Sequence, residues 1–424
     1  MSSARQTESL AAVAARIEEA ADRLAGVVRR TPLEHCVRVS DRADAQVWLK
    51  REDLQAVRSY KVRGAYNFMS QLDDEQRGRG VVTASAGNHA QGVAFACARL
   101  GIRGRIHLPS VTPRQKRERI SAIGGDMVQI VIGAETYDEV SRVAQAESAA
   151  TGATFVPAFD HPAVVAGQGT VVREIVEQLG EAPDVVVVPV GGGGLLAGTV
   201  AWLHEHHPQV RVVGVEPAGA PNVAAAISAG EPIVLDEIDT FIDGAAVMRA
   251  GDYTTALIAQ AGVEMVVEPE GSVCSEMLQL YQVDGIIAEP AGALATAALT
   301  SRTVTVEPGQ RVVCVISGGN NDVSRYAEIV ERALVHEGRK HYFLVDFPQE
   351  PGALRHFLDE VLGPDDDITL FEYVKRNNRE TGPALVGVEL ATADDLPALL
   401  ERMESAPPRI EKIDSDSPWF RFLL

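Results

Sequence analysis

One lysine of the chain has neighbours that an ordinary surface lysine does not need. It lies in residues 59–66, which read SYKVRGAY, with Tyr60 before Lys61 and the β-branched Val62 after it. An exposed lysine at the start of a helix would account for the stretch. A lysine among apolar groups would instead have a lowered pKa and a free lone pair able to attack a carbonyl carbon. These eight residues alone leave both interpretations open.

Three glycine-bearing loops each follow a predicted strand. They are SAGNHAQG (85–92), GGGGLLAG (191–198) and SGGNND (317–322). The first two open a predicted helix, where free N–H groups and the helix dipole favour an anion. The second is neither a G-x-G-x-x-G fingerprint nor a P-loop, so each loop alone is weak evidence. Together with Lys61 the loops indicate an aldehyde, a phosphate and a small anion. Pyridoxal phosphate supplies the first two and an amino-acid carboxylate the third.

The order of the motifs resembles the fold type II pyridoxal-phosphate enzymes, and among them the threonine/serine dehydratases. Over roughly residues 25–330 the chain shows, in order, S-[FY]-K-x-R-G-A, S-A-G-N-H-A-Q-G, G-G-G-G-L, E-P-A-G-A and S-G-G-N. The tail, from HYFLVDFPQEPGAL onward, is similar to the C-terminal regulatory domain of biosynthetic threonine dehydratases, an ACT-like module that occurs here once. The resemblance implies a tryptophan-synthase-β-like catalytic domain with pyridoxal 5'-phosphate as cofactor. It also implies β-elimination of L-threonine to 2-oxobutanoate and ammonia in isoleucine biosynthesis, with secondary activity on L-serine.

The resemblance also assigns roles to single residues. Lys61 would form a Schiff base with the cofactor and remove the substrate's α-proton, with Tyr60 and Val62 shielding the bond. Asn88 would donate to the cofactor's phenolic oxygen, and Ser317 would meet its pyridine nitrogen. The residues implied for the phosphate are Gly191, Gly192, Gly193, Gly194 and Leu195, and those for the substrate carboxylate are Ser85, Ala86, Gly87, Asn88 and His89.

Several alternatives stay open beside this assignment. A serine racemase needs a second base, and relatives that racemise carry S-S-G-N-H, whereas Ala86 cannot move a proton. A catabolic threonine/serine dehydratase would use the same chemistry. A catalytically inactive amino-acid sensor is expected to lose the lysine or the phosphate loop, and both are intact. Some relatives bind a cation with an acid like Glu216, but Asn222 replaces the second acid, so a plain strand-end carboxylate without metal is the simpler interpretation.

Short β-rich runs alternate with alanine-rich helical stretches through most of the chain. This alternation predicts an α/β catalytic domain over residues 1–330, made of two subdomains with largely parallel sheets covered by helices. The predicted strands are 45–50, 80–85, 104–109, 127–132, 184–190, 210–217 and 311–317. Ligand sites of such sheets lie at the carboxyl ends of strands, where the glycine loops follow.

The pattern changes after about residue 335. It reads strand, helix, two strands, helix, with a final strand predicted in PWFRFLL (418–424). This order predicts a small α+β module of βαββαβ type over residues 335–424. By the resemblance, isoleucine inhibits and valine activates the enzyme at this domain.

Composition excludes several classes of protein. A formal net charge of −20 argues against nucleic acid and anionic membranes as partners. The apolar run 185–203 has the length of a membrane span, but Pro189 and the glycines would break a spanning helix. The four cysteines form no CxxC pair, and the N-terminus lacks the apolar core of a secretory signal. The expected form is a cytoplasmic homo-oligomer, a dimer or tetramer.

Overall fold

The computed structural model describes residues 8–373, 380–406, 409–414, 417, 420 and 423. The chain divides into two compact units, Met1–Asn321 and Asp322–Leu424. The helices of the first unit are α1 (Leu10–Leu24), α2 (Val37–Ala43), α3 (Lys61–Ser70), α4 (Asp74–Arg79), α5 (Asn88–Leu100), α6 (Arg114–Gly124), α7 (Tyr137–Thr151), α8 (Pro162–Leu179), α9 (Gly194–His206), α10 (Asn222–Ala229), α11 (Asp252–Ala261), α12 (Glu270–Gln282) and α13 (Pro290–Thr300). Its strands are β1 (Leu33–His35), β2 (Gln46–Arg51), β3 (Val81–Ala84), β4 (Gly104–Leu108), β5 (Val128–Ile132), β6 (Thr154–Phe155), β7 (Val185–Pro189), β8 (Arg211–Pro217), β9 (Glu264–Glu268) and β10 (Arg311–Ile316).

The larger sheet of the first unit has six strands in the order β1-β2-β10-β7-β8-β9. All neighbouring pairs are parallel except β1 with β2. Every residue of β7 is buried, as expected for a central strand with helices on both faces. Helices α1, α8 and α9 pack together over this sheet around an apolar core that includes Ile17, Val172 and Leu196.

The smaller sheet of the first unit has the order β5-β4-β3-β6 and is parallel throughout. Its core lies between the sheet and helices α3, α5 and α6, with Met69, Val93 and Ile106 fully buried. The predicted fold class, parallel sheets covered by helices, is confirmed for this unit. Both sheets direct glycine-bearing loops from their carboxyl ends toward α3, α5 and α9.

The apolar run 185–203 divides, as predicted, into a buried strand, a glycine loop and a helix. Strand β7 ends at Pro189, and α9 begins at Gly194. None of the helices in the described ranges combines the length and apolar character that crossing a membrane requires.

The second unit has a four-stranded antiparallel sheet of order β12-β13-β11-β14. Its elements are α14 (Tyr326–His336), β11 (Lys340–Pro348), α15 (Ala353–Glu360), β12 (Asp367–Tyr373), β13 (Thr381–Glu389), α16 (Leu396–Ser405) and β14 (Arg409–Ile413). From β11 onward the order is βαββαβ, which confirms the predicted α+β module. The closing strand is β14, upstream of the predicted 418–424, and most of that segment lies outside the described residues.

Candidate active site

Lys61 is the first residue of α3, and its side chain is partly exposed. Its Nζ donates to the carbonyl oxygen of Ala158 at 3.1 Å and lies 5.4 Å from the ring centroid of Tyr60. Loss of hydration lowers the pKa of Lys61 to about 8, and the charge of Glu289 opposes the shift. The lysine therefore begins a helix, as the simpler interpretation held, but its amine is also readily neutral and nucleophilic.

Asn88, the first residue of α5, belongs to a closed ring of hydrogen bonds among three residues. Its Nδ2 donates to Glu289 Oε1 at 2.5 Å, and its Oδ1 accepts from Asn320 Nδ2 at 2.7 Å. The backbone N–H of Asn320 closes the ring by donating to Glu289 Oε2 at 3.1 Å. An amide nitrogen carries two donors, so this ring fixes the Asn88 side chain and leaves one N–H for a ligand.

Glu289 is a functional candidate that the sequence motifs contained but to which no role was assigned. Only 6% of it is exposed, and burial, reinforced by the charge of Asp243, raises its pKa to about 7. The N–H groups of Asn88 and Asn320 act in the opposite direction. A sequence signal does exist, since Glu289 is the one charged residue between Asp284 and Arg302. A lone acid in an apolar stretch must find partners when it is buried.

Ser317 joins the third glycine loop to the lysine segment. It follows β10, is 3% exposed and donates its hydroxyl to the carbonyl oxygen of Ala291 at 3.2 Å. Its own carbonyl oxygen accepts the backbone N–H of Tyr60 at 3.1 Å, and Ser59 pairs with Gly318 as an isolated bridge. The structure thus places Ser317, Lys61 and Asn88 around one location.

The glycine loop 191–194 is a close-fitting backbone cradle. Gly193 has φ +85°, which a residue with a side chain rarely adopts. A Cβ on Gly192 would overlap the ring of Phe159, and one on Gly194 would lie 3.1 Å from the Phe159 Cβ. A Cβ on Gly191 would lie 3.0 Å from the Cα of Ala245. Glycine is therefore required here for close packing as well as for the turn.

The lysine and the cradle share a neighbouring segment. Ala158, whose carbonyl oxygen accepts from Lys61, directly precedes Phe159, which packs on Gly192 and Gly194. Helix α9 starts at the cradle without a side-chain cap among the described residues, and Leu195 lies in its buried first turn. Uncapped N–H groups at a helix start are an anion site. The cradle, the lysine and the Asn88 amide fit a phosphate, an aldehyde and a phenolic oxygen on one ring.

The loop predicted to hold a carboxylate is open at its start and closed at its end. Ser85, Ala86, Gly87 and Asn88 are partly exposed, and the Ser85 hydroxyl accepts the Gly87 N–H at 3.3 Å. His89, the last residue of the predicted set, is buried.

The His89 side chain points into the protein. It is 5% exposed, and its Nε2 lies 3.0 Å from both Thr83 Oγ1 and the Val156 carbonyl oxygen. Burial, together with the charge of Lys61, lowers its pKa to about 4. The imidazole is therefore neutral and anchors the loop to Thr83 and Val156.

Glu216 caps a helix. It is fully buried near the end of β8 and accepts the N–H groups of Val223 at 2.7 Å and Ala224 at 2.8 Å. Burial raises its pKa to about 7. Across the described ranges, no three or more His, Cys, Asp or Glu side chains form a group that could hold a metal ion. Glu216 is thus a carboxylate near a strand end that accepts two N–H groups from the first turn of α10.

Comparison with protein-family models gives two matches. Residues 24–318 match the family described as pyridoxal-phosphate dependent enzyme, and residues 331–423 match the C-terminal regulatory domain of threonine dehydratase. The curated relatives include biosynthetic L-threonine dehydratases along nearly the full chain. That of Mycobacterium tuberculosis is 57% identical over 410 residues, covering 96% of this chain and 95% of the relative. That of Bacillus subtilis is 48% identical over 398 residues, covering 94% of each.

Solved structures with the same fold include enzymes of two activities. The processed form of threonine deaminase isoform 2 from Solanum lycopersicum has a TM-score of 0.71 at 35% identity, covering 77% of this chain and 96% of that one. Maize serine racemase has a TM-score of 0.70 at 30% identity, covering 76% of this chain and 98% of that one.

Proposed function

Because the chain belongs to the family of pyridoxal-phosphate-dependent enzymes, we propose that it deaminates L-threonine to 2-oxobutanoate and ammonia, as a biosynthetic threonine dehydratase. The observation that carries the proposal is the Lys61 amine, with its pKa lowered to about 8, held at Ala158 next to a glycine cradle. The identity to biosynthetic threonine dehydratases supports the substrate.

The residues that would hold the cofactor come from four segments. Lys61 would hold its aldehyde, and the amides of residues 191–195 would hold its phosphate. Asn88 would use its second amide N–H for the phenolic oxygen, and Ser317 would turn its hydroxyl hydrogen from the Ala291 carbonyl oxygen to the pyridine nitrogen. When bound, pyridoxal phosphate withdraws electrons from the α-carbon of the substrate.

Lys61 is the residue that we propose as the general base for the α-proton. A pKa of about 8 leaves an appreciable neutral fraction of the amine near neutral pH. The substrate carboxylate would be held by the loop Ser85, Ala86, Gly87, Asn88 and His89 at the start of α5. A positive helix end at this place favours the carboxylate and keeps it oriented.

Elimination is better supported than racemisation. Racemisation needs a proton carrier on the second face of the α-carbon, and Ala86 carries no such group. We therefore propose that this chain shares the fold of maize serine racemase but not its activity. L-Serine differs from L-threonine by one methyl group. A pocket can discriminate against such a substrate by only about 1–3 kcal/mol, so we propose L-serine as a slower substrate.

The second unit is proposed to be a feedback domain. Its match to the C-terminal regulatory domain of threonine dehydratase supports a regulatory role, and we propose isoleucine as the inhibitor there and valine as the opposing activator. The same match favours a biosynthetic role over a catabolic one. The four cysteines are buried, which fits the reducing cytoplasm, and we propose a homo-oligomer in that compartment.

The test is an assay of 2-oxo acid and ammonia released from L-threonine by the full chain, with and without isoleucine. Equal amounts of both products, a slower reaction with L-serine and inhibition by isoleucine are expected. Products from neither amino acid in the presence of added pyridoxal phosphate would overturn the proposal.

A further inference from the structure

A threonine far from the glycine loop in sequence contacts the centre of that loop. Thr254 lies in the first turn of α11, is fully buried and donates its hydroxyl to the carbonyl oxygen of Gly192 at 2.7 Å. A Cβ built on Gly193 would lie 3.2 Å from the Thr254 Cβ, so helix and loop are in direct contact. None of the sequence motifs includes this residue.

The bond to Gly192 determines the direction of the next N–H group. A trans peptide unit carries its C=O and N–H on opposite sides, and the structure has no cis peptide among the described residues. Anchoring the Gly192 carbonyl on α11 therefore directs the Gly193 N–H away from α11. Between two glycines a peptide plane is otherwise easily reoriented, because neither residue has a side chain that restricts φ and ψ.

Helix α11 is itself fixed by the segment that contacts the lysine. The carboxylate of Asp160 accepts the N–H groups of Asp252 at 3.0 Å, Tyr253 at 2.9 Å and Thr254 at 3.1 Å. Asp160 is preceded by Phe159, which packs on Gly192, and Phe159 is preceded by Ala158, which accepts from Lys61. Three consecutive residues thus connect the lysine, the cradle and the helix that holds the cradle.

We propose that Thr254 is a positioning residue for the phosphate of the cofactor: its hydroxyl holds the Gly192–Gly193 peptide so that the Gly193 N–H faces the phosphate. This inference rests on the proposed function, in which the cradle holds that phosphate. A competing explanation is that the hydroxyl only satisfies its own helix, as buried Ser and Thr side chains often do. The distances favour the cradle, since the carbonyl oxygen of Gly251 in the chain before α11 is 3.4 Å away, against 2.7 Å for Gly192.

The neighbouring Thr255 provides a matched control. It is on the same helix and 4% exposed, and its hydroxyl has no hydrogen-bond partner in the described part of the chain. Thr254→Val and Thr255→Val remove the same atom from adjacent buried positions. Thr254→Ser keeps the hydroxyl and serves as the conservative variant.

The experiment measures the dissociation constants of pyridoxal phosphate and of pyridoxal for the full chain freed of cofactor, from the visible absorption of the bound form. Pyridoxal lacks the phosphate, so the dissociation constant of pyridoxal divided by that of pyridoxal phosphate measures the contribution of the cradle. We expect T254V to weaken pyridoxal phosphate about three- to tenfold, the range of one buried hydrogen bond, and to leave pyridoxal unchanged. T254S and T255V should behave as the wild type.

An unchanged ratio in T254V, or an equal loss for both ligands, would overturn the inference. If the wild type binds neither ligand, the proposed function has failed instead, so the two failures are distinguishable. If T254V does not fold, Asp160→Asn tests the same positioning of the cradle by α11, because it weakens the three N–H hydrogen bonds that hold α11. The ratio should fall in this variant as well, and a wild-type ratio in folded D160N would contradict the inference.

Discussion

Lys61 and Glu289 have pKa values shifted in opposite directions by the same cause. Desolvation favours the neutral form, so it lowers the pKa of Lys61 to about 8 and raises that of Glu289 to about 7. A neutral amine can accept a proton near neutral pH. The Glu289 carboxyl, bonded to Asn88 and Asn320, holds the amide that would face the cofactor.

Glu289→Gln should impair catalysis without unfolding the protein. The glutamine amide brings a donor into a place where two N–H donors already converge, so the ring through Asn88 and Asn320 cannot close as before. We expect kcat/KM for L-threonine to fall about tenfold, the effect of losing a hydrogen bond to a charged group. Glu135→Gln, at an exposed position, is the control. A wild-type kcat/KM in E289Q would show that the ring does not position Asn88.

The same variant should change how stability depends on pH. The pKa of Glu289 is about 7 in the folded chain and near 4.5 as the ordinary value, so between these pH values the folded state holds the extra proton. Stability from this group is therefore lost as pH rises from about 4.5 through 7. Urea unfolding from pH 5 to 8 should show a steeper decline for the wild type than for E289Q. Parallel curves for the two proteins would contradict the shifted pKa.

Sequence patterns predicted Lys61 and the glycine loops as site residues, but not the groups that hold them. Lys61 and the glycine loops are local patterns, so they are visible in a single sequence. The bond from Asn88 to Glu289 joins residues 201 positions apart, and that from Thr254 to Gly192 joins residues 62 apart. Pairs of this kind depend on tertiary packing and leave no periodic or local signal.

At the scale of elements, α3 is held by a buried network of charges just behind Lys61. The guanidinium of Arg63 is fully buried and bonds Glu52 Oε1 at 2.7 Å and Glu174 Oε1 at 2.7 Å. Glu52 lies in a short 3-10 helix after β2, and Glu174 lies on α8. The network therefore fixes α3 against two other elements, and with it the direction of Lys61.

Arg63→Ala should destabilise the protein strongly. It leaves the buried carboxylate of Glu52 without its guanidinium partner, and Glu174 with Lys50 as its remaining cation. Removing one partner of a buried ion pair typically costs about 3–5 kcal/mol in free energy of unfolding. Arg63→Lys should also destabilise, since an ammonium cannot make the same paired contacts. Urea unfolding gives the measurement.

Arg79→Ala is the control for this network. Its ion pair with Glu75 lies on the surface, where 43% and 77% of the two side chains are exposed. Such a pair contributes at most about 1 kcal/mol. Equal losses for R63A and R79A would mean that the buried network does not anchor α3.

Most elements of the fold were predicted from the hydrophobic runs in the sequence and their alternation with helical stretches. The strands that were not predicted are β1, β6 and β9. Strand β6 has two residues, and β1 is a three-residue antiparallel edge strand that is mostly exposed. Strand β9 is at the other edge and has glutamates at both ends. Short or polar edge strands derive their structure from pairing and show little pattern of their own.

At the scale of the whole molecule, catalysis and feedback are assigned to different units. All the proposed cofactor and substrate residues lie in Met1–Asn321, which has its own apolar cores. The second unit has a separate core that includes Phe343, Phe357 and Val386. In the second unit, Gly352 has φ +99° at the turn into α15, a helix that begins without a side-chain cap among the described residues. We propose this helix start for the carboxylate of the effector amino acid.

A chain that ends at Asn321 should deaminate L-threonine but no longer respond to isoleucine. Feedback requires that isoleucine bind one conformation of the enzyme better than another, typically by about 1–3 kcal/mol, and the proposed site would be gone. Initial rates with and without isoleucine give the measurement, with light scattering to record the oligomeric state. Full isoleucine sensitivity in the shortened chain would place the effector site in the first unit.

The central claim is that the Lys61 amine carries out the deamination of L-threonine, and its most direct test is Lys61→Ala in the full chain. The release of 2-oxobutanoate is measured with saturating L-threonine and pyridoxal phosphate, and circular dichroism confirms the fold. Without the amine, both the attachment of the cofactor and the removal of the α-proton lose their residue. We predict that the wild type forms 2-oxobutanoate. The K61A variant should fold but have less than about 10⁻³ of the wild-type turnover. A folded K61A that keeps a larger share of the activity would contradict the account.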